Sequence, residues 1–370
     1  MDDEAKELAK ELAEYREAYY NLESLVPDEV YDTKKARLRE LAPEHEEVTA
    51  VGAEPPKNSP WEKVAHEIPM GSLDKVNTVD EFDEWVSKTG GAVHFGITHK
   101  IDGASLELVY RAGKLVRGVT RGGGMIGEDV TRNIAKIPDL PKELTRDIDA
   151  TVGGEVVMFK NVFADKYEDK GYANPRNTAA AKMREMKGGG ADCANLAFLA
   201  YWIKCEDRPN EVFNVFRLLD SLGFKTPPLF VGDVDSIKTK FLEATQNRAE
   251  VAYDIDGEVV SVADLQLLES LGDVNMRPKG QIAWKFESEK AESRVLDVVW
   301  QVGSTGRITP VAKIEPTPIG GVTIESVSLH NLKMFHELRL FRGCRVLVER
   351  RNDVIPYISR NLDLVQATYP

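Results

Sequence analysis

Apolar residues at helical spacing mark the start of the chain. They recur every three or four positions among charged residues at Leu8, Leu12, Tyr15 and Tyr19, which predicts a helix over residues 4–24. Pro27 breaks this pattern, and Asp28 is a residue type that caps a following helix. The second predicted helix carries Tyr31, Leu38 and Leu41. Residues 50–60 are rich in Gly and Pro and predict a linker.

From about residue 70 to 290, strand-like and helix-like segments are mixed without regular βαβ spacing. The predicted strands are Leu106–Tyr110, Leu115–Val119, Val152–Met158, Leu196–Ile203 and Ile255–Val262. The predicted helices are Val79–Lys88, Asn174–Lys187 and Val212–Ser221. This arrangement predicts an α+β domain built on antiparallel sheet.

From about residue 292 the apolar segments become short and are separated by Gly and Pro. The predicted strands are Val295–Gln301, Val311–Ile314, Val322–Val327 and Arg345–Glu349. Short strands with such turns are typical of a small β-barrel.

Composition adds few constraints. A length of 370 residues predicts two or three domains, and no stretch of eighteen apolar residues predicts a membrane span. The acidic start of the chain does not resemble a secretory signal, and three widely spaced cysteines predict neither a disulfide framework nor a zinc module, so we expect a cytoplasmic protein. The net charge of −13 does not indicate nucleic-acid binding. Residues 333–360 are locally basic, which suits a phosphate-facing patch, although charge alone favours a solvated strand face.

Four segments with chemically active residues follow one another in order. They are Lys100-Ile101-Asp102-Gly103, Gly154-Glu155-Val156, Asp256-Gly257-Glu258-Val259-Val260 and Ala283-Trp284-Lys285-Phe286. The first lies between the apolar runs Ala92–Ile97 and Ala104–Tyr110, so the pattern predicts that it links two strands. Together the four resemble the nucleotidyltransferases that carry a nucleoside monophosphate on lysine, namely DNA ligases, RNA ligases and capping enzymes. The resemblance implies that Lys100 is the nucleophile.

Nucleotidyl transfer to a lysine requires a neutral amine, so the pKa of that amine must be lowered by burial or nearby cations. The candidate cations are Lys285, Arg121, Arg176, Arg184 and Arg248, which would also neutralise charge on the reacting phosphate. Glu155 and Asp256 could hold Mg²⁺ through hard oxygen ligands. Taken alone, a Lys-Asp pair is usually a surface pair, and Asp-Gly is most often a hairpin turn.

Further motifs narrow the resemblance to NAD-dependent DNA ligases. Tyr19-Tyr20 and Asp28-Glu29-Val30-Tyr31-Asp32 resemble the helical domain that binds the nicotinamide mononucleotide (NMN) half of NAD+ in that family. The adenylation-domain motifs are similar to His66–Leu73, Thr120–Gly124, Gly127–Thr131 and Asn174–Ala180. The motifs of an OB-fold are similar to Thr305-Gly306, Thr309–Ala312, Leu329-His330-Asn331 and Asp353–Pro356.

The resemblance also implies the site residues. The implied catalytic residues are Lys100, Asp102, Arg121 and Lys285. The implied NAD+ site consists of Tyr19, Tyr20, Asp28, Tyr31, Asp32, Ser72, Leu73, Thr98, Ile101, Glu155, Arg176, Arg184, Arg248, Asp256 and Lys285, with Mg²⁺ on Glu155 and Asp256. The implied DNA-binding residues are Arg307, Arg350 and Arg351.

Five positions depart from the family pattern. The family usually has Glu, Asp, Arg, Lys and Arg where this chain has Thr98, Gly123, Gly153, Ser261 and Ser304. The change at Ser261 removes a lysine expected near the α-phosphate. We hypothesise that another cation, Lys75 or Lys279, substitutes for it.

The resemblance implies a nucleotidyltransferase domain with ATP-grasp-like antiparallel sheets, preceded by a helical domain and followed by an OB-fold. The expected domains are residues 1–55, 56–290 and 291–370. Family members usually continue into a zinc module, helix-hairpin-helix repeats and a BRCT domain, so we expect either a truncated form or, preferably, a naturally compact enzyme of the kind that viral genomes favour. The implied function is sealing of nicked duplex DNA by a monomer in replication and repair, with NAD+ and Mg²⁺ and without a membrane. The alternatives are a nick- or nucleotide-binding module that seals poorly, and an NAD-dependent RNA ligase.

Overall fold

A computed structural model describes residues 3–21, 26, 28–50, 53, 59–172, 174–287, 289–302, 308–319, 322–329, 332–351 and 355–363. The chain divides into two compact units, Thr49–Phe286 and the combination of Met1–Val48 with Glu287–Pro370. The predicted division into three domains is a different partition and stays a prediction. Of the helices in the described ranges, none has the length and apolar character of a membrane span.

The N-terminal segment is helical, as its apolar spacing predicts. It contains α1 (Asp3–Asn21), α2 (Asp28–Leu41) and the single turn α3 (Glu46–Thr49). Leu12 and Leu38 are fully buried where α1 meets α2. Arg16 of α1 donates to both carboxylate oxygens of Glu47 at 2.8 and 3.1 Å, which ties α3 to α1. α2 begins at Asp28, and the capping role of that residue stays a prediction.

The larger unit contains thirteen strands within the described residues. They are β1 (Lys63–Ala65), β2 (Asp74–Val76), β3 (Phe95–Ile101), β4 (Ala104–Arg111), β5 (Lys114–Thr120), β6 (Ile126–Glu128), β7 (Ala150–Val157), β8 (Ala197–Lys204), β9 (Leu229–Gly232), β10 (Ile255–Val262), β11 (Asp273–Val274), β12 (Arg277–Pro278) and β13 (Gln281–Lys285). Two sheets dominate, a five-stranded one in the order β2-β13-β10-β3-β9 and a four-stranded one in the order β5-β4-β7-β8. All their pairs are antiparallel except β13 with β2, which confirms the predicted α+β architecture.

Helices flank the two sheets. They are α4 (Val79–Ser87), α5 (Thr131–Ile134), α6 (Lys160–Lys166), α7 (Pro175–Met183), α8 (Val212–Ser221), α9 (Val234–Asn247) and α10 (Leu265–Ser270). α8 has its predicted bounds, whereas α7 ends four residues before the predicted Lys187. The helix ends at its C-cap Arg184, and Gly188, Gly189 and Gly190 then adopt φ values of 63–73° in the 3₁₀ segment Lys187–Asn195, so no α-helix resumes there. Left-handed backbone of this kind cannot continue an α-helix.

One face of the five-stranded sheet is packed against α4 and α9. Trp284 of β13 stacks between Phe82 of α4 and Phe241 of α9, with ring centres 4.1 and 4.0 Å away. Phe95 and Val260 are fully buried in the same cluster. Because successive strand residues point to opposite faces, the residues between these apolar positions lie on the other face, where polar side chains predominate.

The structure corrects the placement of the Lys100–Gly103 segment. Lys100 lies inside β3 and not in a link, and the chain leaves the strand only at Asp102. Because β3 belongs to the five-stranded sheet and β4 to the four-stranded sheet, the segment crosses from one sheet to the other. The hairpin alternative is therefore wrong. A side chain at Gly103 would place its Cβ 2.5 Å from the carbonyl oxygen of Val156, so the crossing requires glycine.

The C-terminal segment, for which four strands of a small β-barrel are predicted, forms a five-stranded sheet. Its elements are β14 (Glu289–Val302), β15 (Ile308–Ile319), β16 (Val322–Ser328), α11 (Leu332–Leu338), β17 (Arg345–Arg351) and β18 (Ile355–Asn361), in the strand order β16-β15-β14-β17-β18. The edge strands β16 and β18 approach each other, which brings the sheet towards closure. The buried residues Val295, Ile314, Val346 and Ile358 fill its interior.

Candidate active site

Two lysines converge on one aspartate on the polar face of the five-stranded sheet. Lys100 Nζ donates to both carboxylate oxygens of Asp256 at 2.8 Å, and Lys285 Nζ lies 3.4 Å from Asp256 Oδ2. The three residues come from β3, β10 and β13, which are neighbours in the sheet. The structure therefore brings together the predicted nucleophile, a predicted magnesium ligand and a predicted catalytic cation. The sequence did not indicate the direct pairing of Lys100 with Asp256.

A register shift in β10 aims Asp256 at Lys100. The pairing of β10 with β3 is irregular between Ile255 and Gly257, so Asp256 has no direct partner across the strands. A bulge of this kind bends the strand locally and turns a side chain in a new direction. A Cβ on Gly257 would lie 2.3 Å from the carbonyl oxygen of Trp284, so glycine is needed there for β10 to lie against β13.

The two ammonium groups keep Asp256 ionised. Its side chain is 7% exposed, and burial acts to raise its pKa, but the charges of Lys100 and Lys285 outweigh burial and hold the pKa below its usual value. Lys100 keeps 27% of its side chain exposed, so its amine remains open to a substrate. The result is an oriented amine beside a second cation, which is the arrangement that attack on a phosphate needs.

Glu155 lies in β7 among buried polar partners. It accepts hydrogen bonds at 3.1 Å from Ser105 Oγ and from Tyr201 Oη. Burial raises the pKa of Glu155 to about 7, against the lowering influence of Arg176, of the two hydrogen bonds and of Arg121. The sequence did not indicate Tyr201, because it reaches Glu155 at a register shift between β7 and β8.

Arg176 is positioned by the start of α7. Asn174 caps the helix by accepting from the backbone of Asn177 at 2.7 Å, and Pro175 occupies the first helical position. Arg176 follows in the first turn, and its Nη1 donates to Asp102 Oδ1 at 2.6 Å. Its charge also lowers the pKa of both Glu155 and Asp256, so Arg176 lies within electrostatic range of both carboxylates.

Two predicted cations have structural partners elsewhere. Arg184, at the other end of α7, pairs with the buried Glu128 at 2.7 Å, and its carbonyl accepts from the indole of Trp61 at 2.9 Å. The guanidinium of Arg248 lies 5.9 Å from the ring centre of Phe286. The structure gives each of these arginines a fixed position, and whether either contacts a nucleotide stays a prediction.

Several remaining nucleotide-site candidates have a defined position. Thr98 shares the polar face of β3 with Lys100, and its Oγ1 is buried without a hydrogen-bond partner among the described residues. Ile101 packs into the apolar cluster that contains Val157 and Ile255. Ser72 and Leu73 are partly buried directly before β2.

Most predicted NMN and DNA contacts lie beyond what the structure describes. Tyr31 is partly buried in the helical segment, with Lys35 Nζ 5.5 Å from its ring centre. The other side chains named for these roles lie outside the described residues: Tyr19, Tyr20, Asp28, Asp32, Arg307, Arg350 and Arg351.

Comparison with known proteins identifies the family. Residues 58–289 match the model of the NAD-dependent DNA ligase adenylation domain, and residues 292–367 match that of the NAD-dependent DNA ligase OB-fold domain. The chain belongs to the NAD-dependent DNA ligase family. It is 35% identical to a DNA ligase of Lacticaseibacillus casei over 97% of this chain and 56% of the relative. It is 37% identical to a DNA ligase of Lactobacillus helveticus over 96% of this chain and 56% of the relative. This NAD-dependent DNA ligase family member thus spans about half the length of these relatives.

Solved ligase structures overlap this chain only loosely. A structure of a Lig E DNA ligase, described as binding DNA with a minimal scaffold, shares 14% identity at a TM-score of 0.42 and covers 79% of this chain and 98% of that chain. A TM-score below 0.5 is too low to support a conclusion about the fold.

Ser261, which stands where the ligase family usually has lysine, lies on the same face as the active-site lysines. It is buried and pairs with Gln281 and Gly96 across the neighbouring strands. Lys75 of β2 pairs with Ala283, whose side chain points to this same face because Lys285 follows it by two residues. The register is therefore compatible with Lys75 as the substituting cation, and the hypothesis stays a prediction.

Gly153, which stands where the ligase family usually has arginine, is covered by an indole. A Cβ at Gly153 would lie 1.9 Å from Trp202 Nε1. Any side chain at this position would have to displace Trp202. The departure from the family pattern therefore has a direct steric cause in this chain.

The predicted magnesium ligands are each engaged by protein groups. Asp256 holds two ammonium groups, and Glu155 accepts from Ser105 and Tyr201. Within the described ranges, no three His, Cys, Asp or Glu side chains are grouped so as to hold a metal ion. A shared Mg²⁺ on Glu155 and Asp256 stays a prediction.

Proposed function

We propose that this chain is an NAD-dependent DNA ligase that seals nicks in duplex DNA. The observation that carries the proposal is the Lys100 amine, held by both oxygens of Asp256 with the Lys285 ammonium on the same carboxylate. Membership of the family and relatives named DNA ligase support the same conclusion.

The proposed chemistry proceeds in three transfers. The Lys100 ammonium first loses a proton to solvent, and the neutral amine attacks the α-phosphorus of the adenylyl half of NAD+. The N–P bond forms as the nitrogen loses a second proton to solvent, and the P–O bond to NMN breaks, so that NMN leaves with the bridging oxygen. The AMP then passes to the 5′-phosphate at a nick, which breaks the N–P bond and restores the lysine. Finally the 3′-hydroxyl attacks that phosphate, loses its proton, and AMP leaves.

The site geometry assigns a physical role to the residues around Lys100. Asp256 orients the amine, while Lys285, Arg176 and Arg121 neutralise charge on the phosphate during transfer. Glu155 and Thr98 offer buried polar atoms to the nucleoside. We also assign Ser72, Leu73, Ile101, Asp102, Arg184 and Arg248 to this site.

Contacts outside this site complete the proposal. We assign Tyr19, Tyr20, Asp28, Tyr31 and Asp32 to the NMN half of NAD+, and Arg307, Arg350 and Arg351 to DNA phosphates. The working domains are residues 1–55, 56–290 and 291–370, in a cytoplasmic monomer that acts in replication and repair. The relatives described above are bacterial and do not support an origin in a virus.

We propose that sealing also requires Mg²⁺, which would reach the site with the phosphates of the substrates. Mg²⁺ commonly binds through one or two carboxylates together with substrate phosphates. Removing the ion with a chelator should abolish sealing, and restoring Mg²⁺ should recover it. Full activity in the chelator would contradict this requirement.

The decisive experiment is sealing of a labelled nicked DNA duplex with NAD+ or with ATP, beside a Lys100→Ala control. We expect sealing with NAD+ alone and none in the control. Protein-bound AMP without sealing would favour the nick-binding alternative, and Ser261→Lys would then test whether the missing lysine is the defect. A duplex with ribonucleotides at the nick tests the RNA ligase alternative, because the 2′-hydroxyl distinguishes the two substrates.

A further inference from the structure

A fully buried carboxylate lies beneath the segment that leads to the predicted nucleotide site. Glu107 of β4 accepts from the backbone N–H groups of Glu67 and Ile68 at 3.2 Å and contacts His66 Nδ1 at 3.2 Å. The side chains of His66 and Glu107 are 0% and 1% exposed. A buried carboxylate with this many donors fixes the backbone that supplies them.

His66 faces an acceptor on each side of its ring. Nδ1 faces Glu107, and Nε2 lies 3.0 Å from the backbone carbonyl oxygen of Arg121. The ring therefore lies between Glu107 and the backbone of Arg121, with one nitrogen facing each.

Further hydrogen bonds join the two segments on either side of this pair. The N–H of His66 donates to the carbonyl of Met125 at 3.0 Å, and that of Met70 donates to the carbonyl of Gly124 at 2.8 Å. Arg121 Nε in turn donates to the carbonyl of Met70 at 3.3 Å. Residues 66–70 and 121–125 therefore hold each other in register, with the His66 ring between them.

The guanidinium of Arg121 extends from these two hydrogen-bonded segments towards the candidate active site. Its charge lowers the pKa of Glu155, which places it within electrostatic range of that buried carboxylate. The N–H of Arg121 also donates to the carbonyl of Ser105 at 3.3 Å, and Ser105 Oγ donates to Glu155 at 3.1 Å. A displacement of the Arg121 backbone would therefore disturb the site where we propose that the nucleotide binds.

We propose that His66 and Glu107 are positioning residues that hold Arg121 at the nucleotide site through the ring hydrogen bond to its carbonyl. The inference rests on the proposed adenylation of Lys100 and adds two residues to it. Neither side chain touches the reacting atoms, so their effect passes through Arg121.

Two substitutions of His66, each of which mimics one ring nitrogen, separate the contact with Glu107 from the contact with Arg121. His66→Gln places an amide N–H where Nε2 lies and keeps the bond to Arg121, whereas His66→Asn places one where Nδ1 lies and keeps the bond to Glu107. We measure the rate of AMP transfer from NAD+ to the protein as a function of NAD+ concentration, with thermal unfolding alongside. Glu67→Gln, in the same segment but bonded through its side chain to Arg111 and Thr151, is the matched control.

We expect His66→Gln to stay within about threefold of the wild type and His66→Asn to lose about tenfold or more in kcat/KM, the scale of one buried hydrogen bond. Equal losses in both His66 variants would overturn the proposal and leave a purely structural pair.

Two controls keep the outcome interpretable. If His66→Asn does not fold, Glu107→Gln changes the group beside the ring and should lower kcat/KM by more than Glu67→Gln does. Equal values of kcat/KM for Glu107→Gln and Glu67→Gln would overturn the proposal. If the wild type forms no protein-bound AMP, the proposed function fails. The affinities of the same variants for NAD+, measured by calorimetry, then test the positioning role. We expect His66→Asn to bind NAD+ more weakly than His66→Gln does.

Discussion

Replacing Glu258 by glutamine should remove a pH dependence from the stability of the adenylation unit. Glu258 lies on β10 opposite His99 and Trp284, on the apolar face of the five-stranded sheet. The residue is 3% exposed, and its Oε1 has no hydrogen-bond partner among the described residues. Burial without a partner raises the pKa of this carboxyl from 4.5 to about 8.

The direction of the pKa shift of Glu258 determines how stability changes with pH. The unfolded chain releases the Glu258 proton near pH 4.5, whereas the folded chain keeps it to about pH 8. The contribution of Glu258 to folding stability is therefore largest below the pKa of Glu258 in the unfolded chain, and it declines as the pH rises to the pKa of Glu258 in the folded chain. At roughly 1.4 kcal/mol per pH unit, the decline between pH 5.5 and pH 8 is about 3 kcal/mol.

Urea unfolding at pH 5.5 and at pH 8 measures this effect directly. Glu258→Gln does not titrate, so the difference in unfolding free energy between variant and wild type should move by about 3 kcal/mol in favour of the variant on going to pH 8. The exposed Glu143→Gln is the control and should show no such movement. A difference that is the same at both pH values would refute the assignment of a raised pKa to Glu258.

Three other substitutions test the site. Gly153→Ala should destabilise the chain by about 1–3 kcal/mol in thermal or urea unfolding, because its Cβ would lie 1.9 Å from Trp202 Nε1, and unchanged stability would contradict the packing. Arg176→Lys should slow AMP transfer to the protein about tenfold or more, because it shortens the reach to Asp102, and an unchanged rate would exclude a role for that 2.6 Å contact. The raised pKa of Glu155 predicts a change in the adenylation rate of the wild type near pH 7, which Glu155→Gln should remove, and a profile of identical shape would assign the titration to another group.

Regular alternation made several elements predictable from the sequence. The predicted strand Ile255–Val262 and helix Val212–Ser221 have the bounds that the structure shows. The prediction that Lys100 lies in a link was wrong because regular alternation is lost there. The polar residues Thr98 and Lys100 interrupt the apolar run of β3 because they lie on the polar face of the sheet, so the pattern predicted that the strand ended at Ile97. Functional residues disrupt the periodicity on which such predictions depend.

The contacts within the site were less predictable than its members. Order along the chain indicated Lys100, Asp256 and Lys285, but their convergence depends on a bulge at Asp256 and on β10 lying between β3 and β13. Tyr201 reaches Glu155 through another register shift. Strand order and bulges arise from long-range packing, which periodicity along a single strand does not reveal.

The two faces of the five-stranded sheet have different roles, one in stability and the other in the proposed chemistry. One face packs Trp284 between two aromatic rings, and the other carries the lysines and Asp256. β10 serves both, since Glu258 lies on the packed face only two residues from Asp256. A change at Glu258 should therefore alter unfolding and leave AMP transfer at low pH unchanged. A change at Asp256 should stop AMP transfer, because it removes the carboxylate that orients Lys100. If Glu258→Gln impaired transfer at pH 5.5, where its carboxyl is already neutral, the two faces would not be independent.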